Sequence, residues 1–276
     1  MAAGRKVSEI VLDDQAEQTG LTRTELYQRM ADQLQIMRAS IRTGMEPDLR
    51  STSGLTGGDA AKMAAYARSG GVTGTFLAQS MARAIAASEC NAAMGRIVAA
   101  PTAGSCGIIP GTVVSMLEEG RCTERDAVLA LFTSGAFGMV IAKQAFIAGA
   151  QGGCQAECGS AAAMAAAALV ELLGGTPEQS AHACAIAVKN QLGLVCDPVA
   201  GLVEIPCIKR NVAGIMIAFS AAEMAMAGIE SKIPVDECIA AMREVGEALP
   251  KGLKETARGG LAATPTGIRM KEQIFG

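Results

Sequence analysis

Apolar positions recur every three to four residues along most of the chain, which is the spacing of one buried helix face. Leu26, Met30, Leu34, Met37 and Ile41 form one such face. Thr22 followed three places later by Glu25 has the capping-box spacing that starts this helix, and Pro47 ends it. After the glycine loop SGLTGGDA, Asp59 reads as the N-cap of the next helix, AKMAAYARS. Further helices are expected from Thr75 to Met94, from Thr123 to about Ile147, and from Thr176 and Pro177 to about Asn190. The alanine-rich run SAAAMAAAALVELLGG, closed by Gly174 and Gly175, is another. Two more span Asn211 to Ile229 and Pro234 to Leu249, while the last 26 residues read as turns. No two-residue alternation persists long enough for a strand series. The expected fold class is mainly α, a single compact helical domain, with residues 1–50 as an N-terminal helical arm and 51–276 as the body.

Composition narrows this reading. Half of the 276 residues are hydrophobic and 18% are charged, a balance that a disordered chain cannot have. With 24 basic and 27 acidic residues there is no basic stripe, so no nucleic-acid partner is expected. Mean hydropathy is +0.29, which raises the question of a membrane. The longest uncharged run, Ile97 to Leu117, is broken by Pro101 and Pro110, and Ala127 to Val140 is too short to span a bilayer. No membrane association is expected. The N-terminal segment MAAGRKVSEIVLDDQ lacks an apolar core and places Asp13 and Asp14 early, unlike a secretory signal. A cytoplasmic location follows as an expectation, and the odd count of 9 cysteines then reads as reduced thiols, most of them small buried hydrophobes.

Three cysteines stand apart from the periodic faces. Cys154 follows Gly152-Gly153, Cys196 precedes Asp197-Pro198, and Cys207 follows Pro206. Irregular backbone at such positions turns sulfur inward and offers N–H bonds to it. Their separations, 42 and 11 positions, are not those of paired C-x-x-C zinc knuckles. They suit a cluster assembled from separate loops, or simply buried thiols.

The strings CQAECGSAAAMAAA, LGLVCDPVAGLVEIPCIKRN, PTAGSCGIIPG and TARGGLAATPTG resemble the iron–sulfur-dependent L-serine dehydratases, and most closely the alpha subunit of the two-subunit form. The likeness runs in order from about Ser51 to Gly267. It implies that 51–276 is a serine dehydratase alpha-chain catalytic domain whose glycine-rich loops converge on a 4Fe–4S cluster. The matching ligands are Cys154, Cys196 and Cys207, with Cys158 the rival to Cys154. Cys90, Cys106, Cys122, Cys184 and Cys238 keep the reading of packed thiols.

The resemblance implies an L-serine ammonia-lyase (EC 4.3.1.17) that makes pyruvate and ammonia without pyridoxal phosphate. An open iron acts as a Lewis acid on the leaving hydroxyl, and a protein base takes the α-proton. Lys62, after the first glycine loop, is the catalytic candidate for that base, against a plain reading as a surface lysine. His182, the single histidine, reads as an ordinary helical residue. For the amino-acid substrate, Ser53, Thr56, Gly57, Asp59, Thr102, Gly104 and Ser105 offer hydroxyl and loop N–H donors, and Arg210 and Asn211 lie just past Cys207. Arg210 equally suits a structural ion pair. A separate beta subunit and an oligomeric assembly are the partners implied, and a role in gluconeogenesis comes with the family. Two other readings stay open: cluster-dependent β-elimination on L-cysteine or another amino acid, and a non-catalytic helical assembly subunit.

Overall fold

A computed structural model describes residues 4–276 of the chain, and twelve α-helices account for most of them. Helix α1 covers Val7–Thr19 and α2 covers Arg23–Gly44. The expected capping box is present at α2: the Thr22 side chain accepts from the Glu25 N–H, and the Glu25 carboxylate accepts from the Thr22 N–H. Its apolar face is buried as the spacing requires, with Leu34, Met37 and Ile41 almost wholly covered. Each such side chain contributes roughly 2 kcal/mol of transfer free energy. That face belongs to the same core as the rest of the molecule.

Helices α3 (Asp59–Ala67) and α4 (Gly74–Ala92) follow the first glycine loop. Asp59 is not the N-cap; Gly58 holds that place in the left-handed region, φ 78°, with no side-chain cap of its own. The cap comes from across the fold: the buried Glu89 carboxylate of α4 accepts from the Asp59 and Ala60 N–H groups at 3.0 and 3.2 Å. Burial first, and the Asp59 charge as well, hold the Glu89 pKa above the ordinary carboxylate value against these bonds. At the crossing of α2 and α4, a Cβ on Gly44 would fall into the Ala86 backbone, so only glycine lets these helices touch.

The stretch from Pro101 to Gly111 is only partly a loop. A 3₁₀ turn, Ala103–Ser105, is followed by a π-helical run, Pro110–Val114, continuous with α5 (Ser115–Glu118). Helix α6 (Glu124–Gln144) stops short of Ile147. Among the described residues it is the one helix long and apolar enough to cross a membrane. Its Ala127, Val128, Leu131 and Ile141 side chains are nevertheless buried in the common core.

Helix α7 (Gly149–Gly152) and a π turn, Gln155–Gly159, lead into α8 (Ser160–Leu172), which is buried along nearly its whole length. Alanine makes this packing possible, because small side chains let neighbouring axes come close. Enlarging one of these alanines would overpack the centre at a cost of about 1–3 kcal/mol. Around α8 stand α6, α9 (Pro177–Lys189) and α10 (Cys207–Met226). Helix α10 begins at Cys207, four residues before the Asn211 that the apolar pattern suggested. Phe219 of α10 meets Phe76 of α4 edge to face at 5.5 Å. Helix α11 (Val235–Ala248) packs on α9. The final 26 residues are not all turns, since Pro265–Phe275 forms α12, with the Thr264 side chain capping the Gly267 N–H.

Candidate functional site

Four irregular segments meet at one end of α8 and α10, and side chains bind each to the next. The buried Asn211 amide donates at 2.8 Å to the Gly104 and Cys207 carbonyls and accepts at 2.8 Å from the Gly107 N–H. One side chain thus fastens the PTAGSCG segment to the first turn of α10. Arg210 donates to the Val195 carbonyl and pairs with Asp197, both at 2.8 Å. The other Asp197 oxygen accepts from the Leu261 N–H at 2.8 Å, which draws in the TARGGLAATPTG segment. Cys196 is held by backbone on both sides: its N–H donates to the Leu253 carbonyl and its carbonyl accepts from the Glu255 N–H.

Cys154, Cys196 and Cys207 are buried free thiols, and Cys196 and Cys207 each lie near enough to Cys154 to feel its charge. Cys154 ends the glycine turn before the π run, while Cys207 is the first residue of α10, where helix N–H groups favour a thiolate. The electrostatics tie the three together. Burial raises the Cys207 pKa to about 12, with the Cys154 and Glu157 charges adding to it and Arg210 opposing. Burial also pushes Cys196 up, reinforced by Glu157 and Cys154. Cys154 moves the other way, because the Cys158 thiol donates to its sulfur and the Arg210 charge lies near. Burial works against the Arg210 charge, yet Cys154 and Asp197 outweigh it and keep that pKa above the ordinary value.

A carboxylate that sequence reasoning passed over sits among the thiols. Glu157, buried to 8% exposure, accepts from the Thr102 hydroxyl at 2.8 Å on one oxygen and from the Cys196 thiol at 3.6 Å on the other. Desolvation raises its pKa, and the Glu255 charge adds to this. Gly104 and Gly149 give it room: a Cβ on Gly149 would lie 2.6 Å from its Oε2 and 2.8 Å from the Cys196 sulfur. Nothing local marks Glu157 in the sequence beyond its place between Cys154 and Cys158.

The remaining candidates divide clearly. Ser105 is buried, 3.4 Å from the Thr102 hydroxyl, and its own hydroxyl donates to backbone carbonyls. The Ser53 hydroxyl engages the Leu55 N–H and the Ser51 hydroxyl. The Thr56 hydroxyl donates a hydrogen bond to Glu204. Gly57, at φ 134°, lies so close to Leu49 that a Cβ would strike the Leu49 carbonyl. Asp59 binds Lys209 at 2.7 Å and Lys62 at 2.9 Å, and both cations hold its carboxyl below the usual range. Lys62 itself is 77% exposed on α3, and its hydrogen bond goes to Asp59. The imidazole of His182 accepts from the Ser231 N–H at 3.3 Å and serves as a brace. Cys106 is a packed thiol against the Ala87 carbonyl of α4.

Among the described residues, no three His, Cys, Asp or Glu side chains are close enough to hold a single metal ion. An iron–sulfur cubane is larger than an ion and takes its cysteines from further apart. Three buried thiols on separate segments, with Arg210 at hand to balance thiolate charge, are a donor set of the type such a cluster uses.

Comparison with known proteins bears on the whole chain. The family model described as "Serine dehydratase alpha chain" matches residues 2–262. The "Probable L-serine dehydratase, alpha chain" of Bacillus subtilis (strain 168) is 52% identical over 271 residues, 98% of this chain and 90% of the relative. The "L-serine dehydratase, alpha chain" of Peptoniphilus asaccharolyticus is 45% identical, over 99% of this chain and 94% of its own length. A longer "L-serine dehydratase" of Streptomyces coelicolor is 49% identical over 65% of this chain and 40% of that protein. With the family model matching residues 2–262 and relatives 45–52% identical over 98–99% of its length, the chain belongs to the serine dehydratase alpha chain family.

Proposed function

We propose that this chain is the catalytic alpha subunit of an iron–sulfur L-serine dehydratase, an L-serine ammonia-lyase that converts L-serine to pyruvate and ammonia. The observation that carries the reading is a set of three buried free thiols coupled through their charges, Cys154, Cys196 and Cys207, with the Glu157 carboxylate against Cys196, in a chain of this family. These three cysteines would hold a 4Fe–4S cluster. When bound, the cluster supplies a Lewis-acidic iron that eases departure of the β-hydroxyl.

The chain's own residues supply the rest. In the loops at Ser53–Asp59 and Thr102–Ser105, whose positions are fixed by Asn211, Glu89 and Glu204, the Gly57, Gly58 and Gly104 N–H groups are the ones offered to the substrate carboxylate. Asn211 and Arg210 spend their side-chain bonds on backbone and on Asp197, so they shape the site more than they contact substrate. Glu157 is the carboxylate set beside the thiols, and burial strengthens its hold on a proton. It is our first candidate to take the α-proton and keep it on a carboxylate oxygen. Lys62 is the other, and it would have to leave Asp59 to serve.

A separate beta subunit completes the enzyme in this reading, in the cytoplasm, where thiols stay reduced. The test is anaerobic reconstitution with iron and sulfide, with and without a beta chain, followed by assays for pyruvate, sulfide and 2-oxobutyrate. Pyruvate from L-serine, with iron–sulfur absorbance, supports the reading. Release of sulfide from L-cysteine as the main activity would change the substrate, and absence of any cluster absorbance would overturn the proposal.

A further inference from the structure

The first glycine loop and the segment between Cys196 and Cys207 are each closed on themselves. In the first, the Ser51 N–H donates to the Thr56 carbonyl and the Thr56 N–H to the Ser51 hydroxyl. In the second, the Val199 N–H donates to the Ile205 carbonyl, and the Glu204 carbonyl accepts from the Ile208 N–H in the first turn of α10. Two such preformed loops can still slide against one another. The bond that fixes their register is buried: the Thr56 hydroxyl donates to Glu204 Oε2 at 2.7 Å, with Thr56 at 8% and Glu204 at 5% exposure.

A second tie, Lys209 to Asp59, is largely solvent-exposed, and an exposed ion pair is worth little. A short bond from a hydroxyl to a buried carboxylate is among the stronger kinds, and leaving that carboxylate without its partner is costly. Glu204 also lies in the strand of chain that carries Cys207, three residues before it. A shift at Glu204 therefore changes where the substrate loop stands relative to the thiols. Glu89 fixes the far end of the same loop from α4.

We propose that Glu204 is a positioning residue: by holding Thr56 it sets the substrate loop against the cysteine-bearing segment, and so governs serine binding. This rests on the serine dehydratase reading above, although the bond itself can be tested without activity. The experiment compares Glu204→Ala, Glu204→Gln, Thr56→Val, Thr56→Ser and the double variant Glu204→Ala/Thr56→Val in the reconstituted holoenzyme.

Expected is a rise of about tenfold in KM for L-serine with Glu204→Ala or Thr56→Val, with kcat changed less than about threefold. Iron–sulfur absorbance is retained. Glu204→Gln and Thr56→Ser, which keep an oxygen acceptor and a hydroxyl donor, stay near wild type. The double variant is no worse than Glu204→Ala alone, as residues acting through one bond require. Amide exchange of residues 51–60 rises in Glu204→Ala and Thr56→Val and not in the conservative pair. An unchanged KM, strictly additive losses, or Glu204→Gln as damaging as Glu204→Ala would overturn the proposal. If the wild type fails to act on serine, the functional reading falls, while unchanged amide exchange would refute the Thr56–Glu204 latch independently.

Discussion

The Cys196 thiol stands 3.6 Å from Glu157 Oε2, and Thr102 donates to the opposite oxygen of the same carboxylate at 2.8 Å. This places an acid–base group at the point where two sequence-distant loops meet. Replacement by glutamine keeps the size and the Thr102 bond but removes the proton-accepting charge. Glu157→Gln is expected to lower kcat by about 10²–10⁴, the range for loss of a general base, with iron content retained. Single-turnover pyruvate formation measures it. If Lys62→Ala carries the loss and Glu157→Gln does not, Lys62 is the base.

Asn211 binds three backbone groups with one amide, and every one of them is buried. Asn211→Ala leaves the Gly107 N–H and the Gly104 and Cys207 carbonyls short of a partner, each at a cost of about 1–3 kcal/mol. A fall in thermal midpoint larger than any surface substitution produces is expected, accompanied by weaker iron retention. Asn211→Asp, which keeps the acceptor for Gly107 but sets a buried carboxylate oxygen against two carbonyl oxygens, should be at least as damaging as alanine.

Much of this architecture was legible in the chain. The Thr22–Glu25 capping box, the Thr176-Pro177 helix start, the alanine-rich helix and the loop or helix-start positions of Cys154, Cys196 and Cys207 all leave local patterns. The missed features are contacts between residues far apart in sequence. Glu89 caps α3 from 30 positions away, Asn211 reaches back 107 positions to Gly104, and Thr102 meets Glu157 across 55. No periodicity encodes such pairings. Helix α12 is a different case, since Thr264-Pro265 repeats the Thr176-Pro177 signature that correctly started α9. Its weakly apolar, exposed sequence hid it, not the lack of a start signal.

Burial of the thiols gives the metal-free chain an alkaline limit. Cys106 has its pKa pushed from near 9 to about 12 by burial first and by Cys90. A raised thiol pKa means that the folded state favours the protonated form. The associated stability is therefore complete below pH 9 and is lost as pH rises towards 12, by up to about 1.4 kcal/mol per pH unit for each such thiol. Urea unfolding between pH 8 and 11, under reductant, should show this decline. Cys106→Ala should flatten it, and an identical slope in that variant would contradict the assignment.

The proposed role of Cys154, Cys196 and Cys207 is to bind together the iron–sulfur cluster that would make this chain an active serine dehydratase. Its most direct measurement is anaerobic absorbance and iron content of the reconstituted alpha–beta enzyme, alongside pyruvate release, for wild type, Cys196→Ala and Cys207→Ala. Expected are brown, active wild type and colourless, inactive variants that keep their helical circular dichroism. Variants that retain colour, iron and pyruvate formation would contradict it.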